Sequence, residues 1–226
     1  MDIANNIQKF IDGEGKNQGR KPDERYASFD YCFNYFQSFR EQDKIDQISS
    51  NDYIQSSCLQ LAYYLASWGM LRGSSFLLEK SLKYYVDLIN NISRFDKGIW
   101  DIDVDSYADA NITLVLKCKT MVIESLGNKY RPSDTLASKI MLGVFANTPA
   151  FDAYFCKGFN IYKFDKEALD KISQFYKDNK MIIDGYSIYT LDFHSGQETN
   201  RKYTKAKLID MIGFIEGQTK GPPDIQ

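Results

Sequence analysis

The sequence predicts a single, mainly α-helical domain of roughly eight helices, with one small β-hairpin near residues 182–193. Three observations lead there. Apolar residues recur at the i, i+3, i+4 spacing in segment after segment. Capping residues, prolines and glycines punctuate those segments where helices start and stop. The chain of 226 residues is 43% hydrophobic, which suits one ordinary buried core.

A short helix is expected over residues 2–11, followed by GEGKNQGRKPDE, a Gly-rich, charged loop or linker with little to bury. Residues 1–23 are thus a helix and a flexible linker, residues 24–216 the helical domain, and residues 217–226 (GQTKGPPDIQ) a disordered tail. Tyr26, Phe29, Tyr31, Cys32, Phe33, Tyr35, Phe36 and Phe39 make the next segment too apolar for one narrow stripe, so it belongs at the centre of the fold. Ser50 or Asn51 is placed to cap a helix carrying Ile54, Cys58, Leu61, Leu65 and Trp68, which ends between Gly69 and Gly73. Ser74 opens another over residues 74–95, and a further helix spans residues 108–126.

PSDTLASKIMLGVFANTPAFDAYF, residues 132–155, reads as two helices joined by a tight turn. Ser133 or Asp134 caps the first, and Leu136, Ala137, Ile140, Met141, Val144 and Phe145 form its buried face. Thr148 caps the second, with Pro149 at its first helical position, where a missing N–H costs nothing. Asp152 then falls at the start of that helix. Residues 166–180 and 202–216 complete the helices. MIIDGYSIYTLDFHSGQETN alternates apolar and polar residues around Asp184 and Gly185, the mark of a small hairpin or of a long surface loop.

The net charge of −2 argues against a protein that coats nucleic acid, because such binding rests on neutralising phosphates. Between residues 116 and 163, however, seven Lys or Arg face three Asp or Glu, enough for a modest basic patch. Lys129, Arg131 and Lys139 are its candidate nucleic-acid or anion contacts. Arg72 with Ser74 and Ser75, flanked by Gly69 and Gly73, offers a forked cation beside hydroxyls and N–H groups at a helix start, a second candidate anion site. No apolar run approaches the roughly 20 residues that span a bilayer, and the N-terminus lacks a basic region followed by an apolar core, so a cytoplasmic chain with no membrane partner is expected.

No metal or cofactor is expected. Cys32, Cys58, Cys118 and Cys156 are far apart, without a CxxC pair, and suit reduced, buried thiols. Asp101, Asp103, Asp105 and Asp109 alternate as in a calcium loop, yet Ser106 stands where the sharp turn needs Gly and Ile112 where the bidentate Glu belongs. His194 is the only histidine.

The pattern from Ala137 through Phe145, Ala146 and Pro149 to Asp152 resembles the helix, loop, proline and aspartate of the helix-hairpin-helix DNA glycosylase superfamily. The likeness covers about 20 residues. It implies that Asp152 matches the catalytic aspartate, which stabilises the cationic sugar or orients the attacking water. Tyr130, Arg131, Pro132 and Ser133 replace the family's phosphate-binding glycines. Thr135 stands near the position of the lyase lysine, with Lys139 one turn on, so the implied enzyme is monofunctional. LASWGMLRGSSFLLEK, residues 65–80, resembles a stretch of bacterial proteins and brings no mechanism with it. Two functions follow: a helical binding module of bacterial or phage origin for nucleic acid, nucleotide or a protein partner, or a glycosylase-like enzyme using Asp152 on a flipped nucleotide.

Overall fold

The computed structural model describes residues 1–15 and 18–221, so Lys16 and Asn17 of the expected linker and residues 222–226 of the expected tail lie outside the described residues. The chain is mainly α-helical with one two-stranded antiparallel sheet. In order come α1 (Ile3–Asp12), α2 (Ala27–Glu41), α3 (Ile54–Ser67), α4 (Val86–Arg94), α5 (Asp109–Ser125), α6 (Asp134–Phe145), α7 (Ala153–Phe159), α8 (Lys166–Asp178), α9 (Lys180–Asp184), β1 (Tyr189–Leu191), β2 (Glu198–Lys202) and α10 (Lys205–Thr219). No helix among the described residues is long and apolar enough to cross a membrane.

Helix α6 is the axis of the core. Its periodic face is buried, and so are Ser138, Lys139, Leu142 and Gly143 on the remaining faces, so the one-sided helix expected from spacing is enclosed all round. Gly143 makes that enclosure tight: a Cβ there would sit 2.5 Å from Cε1 of Tyr64 on α3. Helices α7 and α10 approach by the same device. A Cβ on Gly158 would fall on the carbonyl of Gly213, and one on Gly217 on the carbonyl of Tyr154. Helix α1 lays Ile3, Ile7 and Phe10 into the common core, and Asn6 Nδ2 donates to the Ile212 carbonyl (3.3 Å) and to Glu216 Oε2 (3.0 Å) of α10.

Arg20, within the stretch read as linker, is buried and ties four parts of the chain together. Its guanidinium donates to Asp30 Oδ2 (3.2 Å), to the Tyr189 carbonyl and to Tyr203 Oη (3.4 Å), and pairs with Glu198 (3.2 Å). Asp30 also accepts from Tyr203 Oη (2.5 Å) and from the Leu191 amide (3.1 Å).

Several boundaries differ from the sequence expectation. Residues 74–95 do not form one helix. Two short 3₁₀ turns, Phe76–Glu79 and Leu82–Tyr85, precede α4. Ser75 Oγ is drawn back to the Met70 carbonyl (2.6 Å), Phe76 stacks on Tyr130 at 4.8 Å, and Lys80, in extended backbone, donates to Tyr130 Oη (2.8 Å). These tertiary contacts override local propensity. Neither Ser50 nor Asn51 caps α3, which begins without a side-chain cap. Thr148 and Pro149 do not start α7; they sit buried in the turn before it. Ala146 takes a left-handed conformation with φ +50, and the next free amides are claimed from outside: Ala150 N donates to Asp210 Oδ1 (3.0 Å) and Phe151 N to Ser138 Oγ (2.7 Å).

The hairpin turns at residues 192–197, not at Asp184 and Gly185, because Asp192 Oδ1 accepts from the His194 amide, the Ser195 amide and the Ser195 hydroxyl. Residues 180–184 are instead the short helix α9. Helix α10 runs three residues past its expected end, since Gly217 packs on Tyr154. Cys32, Cys58 and Cys118 are buried as free thiols, while Cys156 is half-buried.

Candidate functional site

Helix α6 and the turn that follows it aim one charged group each, Lys139 and Asp152, into one cavity of about 430 Å³. Asp152 is the N-cap of α7. Its Oδ1 accepts from the amides of Tyr154 (3.1 Å) and Phe155 (3.0 Å), which otherwise have no intrahelical partner. Its Oδ2 lies 3.5 Å from Lys139 Nζ. Lys139 comes from the enclosed helix α6, is 6% exposed, and donates to the Trp68 carbonyl (2.8 Å). Burial pushes its ammonium below the usual lysine range, opposed by the charges of Asp152 and Asp210.

The loop after α3 supplies the opposite wall. Gly69 has φ +76, and a Cβ there would lie 3.1 Å from Cζ of Arg72, so glycine both makes the turn and leaves the space into which that guanidinium folds. Arg72 is exposed, and its guanidinium has no hydrogen bond or ion pair among the described residues. Arg25, just before α2, adds a third cation at the rim, its guanidinium over the Tyr26 ring at 5.0 Å. Trp68, Tyr154 and Phe214 supply the aromatic lining.

Beneath the cavity the charges are fixed by packing. Trp68 stacks on Tyr26 (5.1 Å), which stacks on Phe10 (4.4 Å). Lys207 is fully buried below these rings, 5.0 Å from the Trp68 centroid, and donates to Asp210 Oδ2 (2.8 Å). Asp210 in turn holds the Ala150 amide, so the base of the 146–151 turn is tied to α10. This network leaves Lys139 and Asp152 little freedom to move. The arrangement offers three cations against one carboxylate at an aromatic wall, a setting for an anionic ligand.

Of the residues singled out by sequence, the structure brings together Arg72, Lys139 and Asp152. The others lie elsewhere. Lys129 rests over the Tyr130 ring at 5.6 Å, and Arg131 is exposed with φ +45; neither lines the cavity. Ser74 is exposed outside it, and Ser75 is committed to the Met70 carbonyl and the Leu77 amide. Arg25, Trp68, Tyr154 and Phe214 line the cavity without having been expected to. Trp68 ended a visible helical pattern, but Arg25 sits in a run of charges that gave no reason to single it out.

The alternating aspartates have separate tasks. Asp101 pairs with Arg40 and Asp109 with Lys166 (3.0 Å). Asp105 pairs with Lys205 (3.5 Å), and Asp103 accepts from the amides of Val104, Lys205 and Ala206. Among the described residues no group of three or more His, Cys, Asp or Glu is placed to hold a metal ion. No protein-family model matches the chain, and no curated protein or solved structure matches it.

Proposed function

We propose that this chain is a binding module for a phosphorylated ligand of the nucleotide class, held where Arg25, Arg72 and Lys139 meet. One observation carries the reading: cations from three separate elements converge on one concavity, and the Arg72 guanidinium has its donors unspent among the described residues. A planar guanidinium matches phosphate oxygens two at a time. Trp68 lines the cavity and reports occupancy by its fluorescence. Titration with a nucleoside monophosphate at low salt is expected to quench that signal, and Arg72→Ala to weaken binding about tenfold, the worth of one charge-assisted hydrogen bond. Absence of any response at millimolar ligand would refute the reading.

A second reading is favoured by the position of Asp152 Oδ2, which is free of the capping bonds and faces Lys139 at the cavity wall. In a glycosylase-like reaction on a flipped nucleotide, the base would leave with the bonding pair of the C1′–N bond and take a proton from solvent. Water would add its oxygen to C1′ and yield a proton to the Asp152 carboxylate. Incubation with duplexes carrying damaged bases tests it: release of free base by the parent chain, abolished in Asp152→Asn, supports excision, and no release from any duplex removes it.

A further inference from the structure

A second concavity of about 710 Å³ adjoins the first, and Arg25 lines both. Its walls come from three distant parts of the chain: the turn before α2, helix α3 and the hairpin turn. Two of its side chains, Tyr63 and Phe193, are 70% and 71% exposed. Phe193 is held edge-on to Tyr31, with ring centroids 5.2 Å apart, and Tyr31 donates its hydroxyl to the Pro22 carbonyl (2.6 Å). The rings of the first cavity are bound into the core stack beneath it, whereas Tyr63 and Phe193 are largely open to solvent, Phe193 with perpendicular contacts to Tyr31 and His194 alone among the described aromatic rings. Asp23 and Glu24 also line this concavity, and their carboxylates have no hydrogen bond or ion pair among the described residues.

The two concavities therefore differ in charge. Cations gather in the first, while two carboxylates and one shared guanidinium line the second. A phosphate is repelled from Asp23 and Glu24 and drawn to Arg72 and Lys139. An aromatic ring with N–H donors along one edge is suited to the second, where it stacks on exposed rings and gives its donors to carboxylates.

Building on the phosphate reading above, we infer that the second concavity is the base subsite of the same ligand, and that it selects a base whose edge presents adjacent N–H donors, guanine foremost. Guanine offers N1–H and N2–H₂ side by side, which a carboxylate accepts together. Uracil has one N–H flanked by two carbonyl oxygens, which face carboxylates unfavourably. The ligand lies with its phosphate at Arg72 and Lys139, its linking sugar past Arg25, and its base against Tyr63 and Phe193.

The experiment titrates the full chain with inorganic phosphate, GMP and UMP, each at the same low ionic strength. GMP is expected to bind at least about tenfold more tightly than UMP, the discrimination typical of a bidentate base contact. The double variant Tyr63→Ala, Phe193→Ala is expected to bring GMP down to the affinity of inorganic phosphate. Glu24→Gln with Asp23→Asn is expected to erase the preference for GMP over UMP while phosphate binding is kept or strengthened, since two repelling charges are removed. Tyr63, Phe193 and Asp23 are exposed and Glu24 half-buried, and circular dichroism is the check that the variants keep their helices. Equal affinity for GMP and UMP, or GMP affinity untouched by loss of the two rings, overturns the base subsite while phosphate binding still stands. Failure of all three probes to bind overturns the phosphate reading and this inference with it.

Discussion

Asp152 illustrates how one side chain can serve two ends at once. Its Oδ1 caps α7 and its Oδ2 faces Lys139, so structural and chemical roles fall on separate oxygens. Substitutions can separate them. Asp152→Ala removes the cap and is expected to destabilise by about 1 kcal/mol in urea unfolding. Asp152→Asn keeps an acceptor for the same amides, so the stability it loses reports the charge facing Lys139 and not the cap. If both variants lose equal stability, the cap is not what Asp152 contributes. At this scale the sequence was partly readable. Asp152, Lys139 and Arg72 stand near turns where chemistry-bearing residues draw notice. Arg25 and Phe214 reach the same cavity from positions 189 residues apart in the chain, as their numbers show, and no local pattern links them.

Helices pack here through missing side chains as much as through present ones. Gly143→Ala puts the better helix former in the last turn of α6, a change worth at most about 0.5–1 kcal/mol in favour of the helix. Yet the added methyl lands 2.5 Å from the Tyr64 ring. Tyr64 is fully buried and cannot swing away, so overpacking is expected to dominate, with a net loss of about 1–3 kcal/mol in unfolding free energy measured by urea titration. A variant as stable as the parent chain would mean that α3 yields. Element type was legible wherever spacing was long and regular, as in α2, α5 and α8. It was not legible where a partner from far along the chain decided the outcome. Tyr130 fixes the broken segment before α4, and Asp210 holds the turn that delays the start of α7. The solvent face assigned to α6 by periodicity vanished for the same reason: enclosure by other helices leaves no trace in the enclosed helix's own period.

Across the whole molecule, two buried carboxylates couple stability to acidity. Burial raises Asp30 and Asp103 to about 6, against the opposing pull of Arg20 on the first and of backbone amides on the second. An ordinary aspartate titrates near 3.9. Between about pH 4 and 6 the folded chain therefore holds protons that the unfolded chain has released, so these two groups favour folding toward pH 4 and withdraw that support as pH rises through 6. Asp103→Asn removes one titration. The stability of the parent relative to this variant is expected to fall by about 2 kcal/mol from pH 4 to pH 6; a flat or rising difference in urea midpoints would refute the raised carboxyl. The pairing of α1 with α10 sets a timetable as well. On the ribosome, the α10 partners of Asn6 and the Phe214 edge that closes over Phe10 do not exist until the chain has grown by almost two hundred residues beyond α1. At the usual pace of synthesis this is a wait of roughly 10–40 seconds, through which the apolar side of the first helix stays uncovered and open to chaperones.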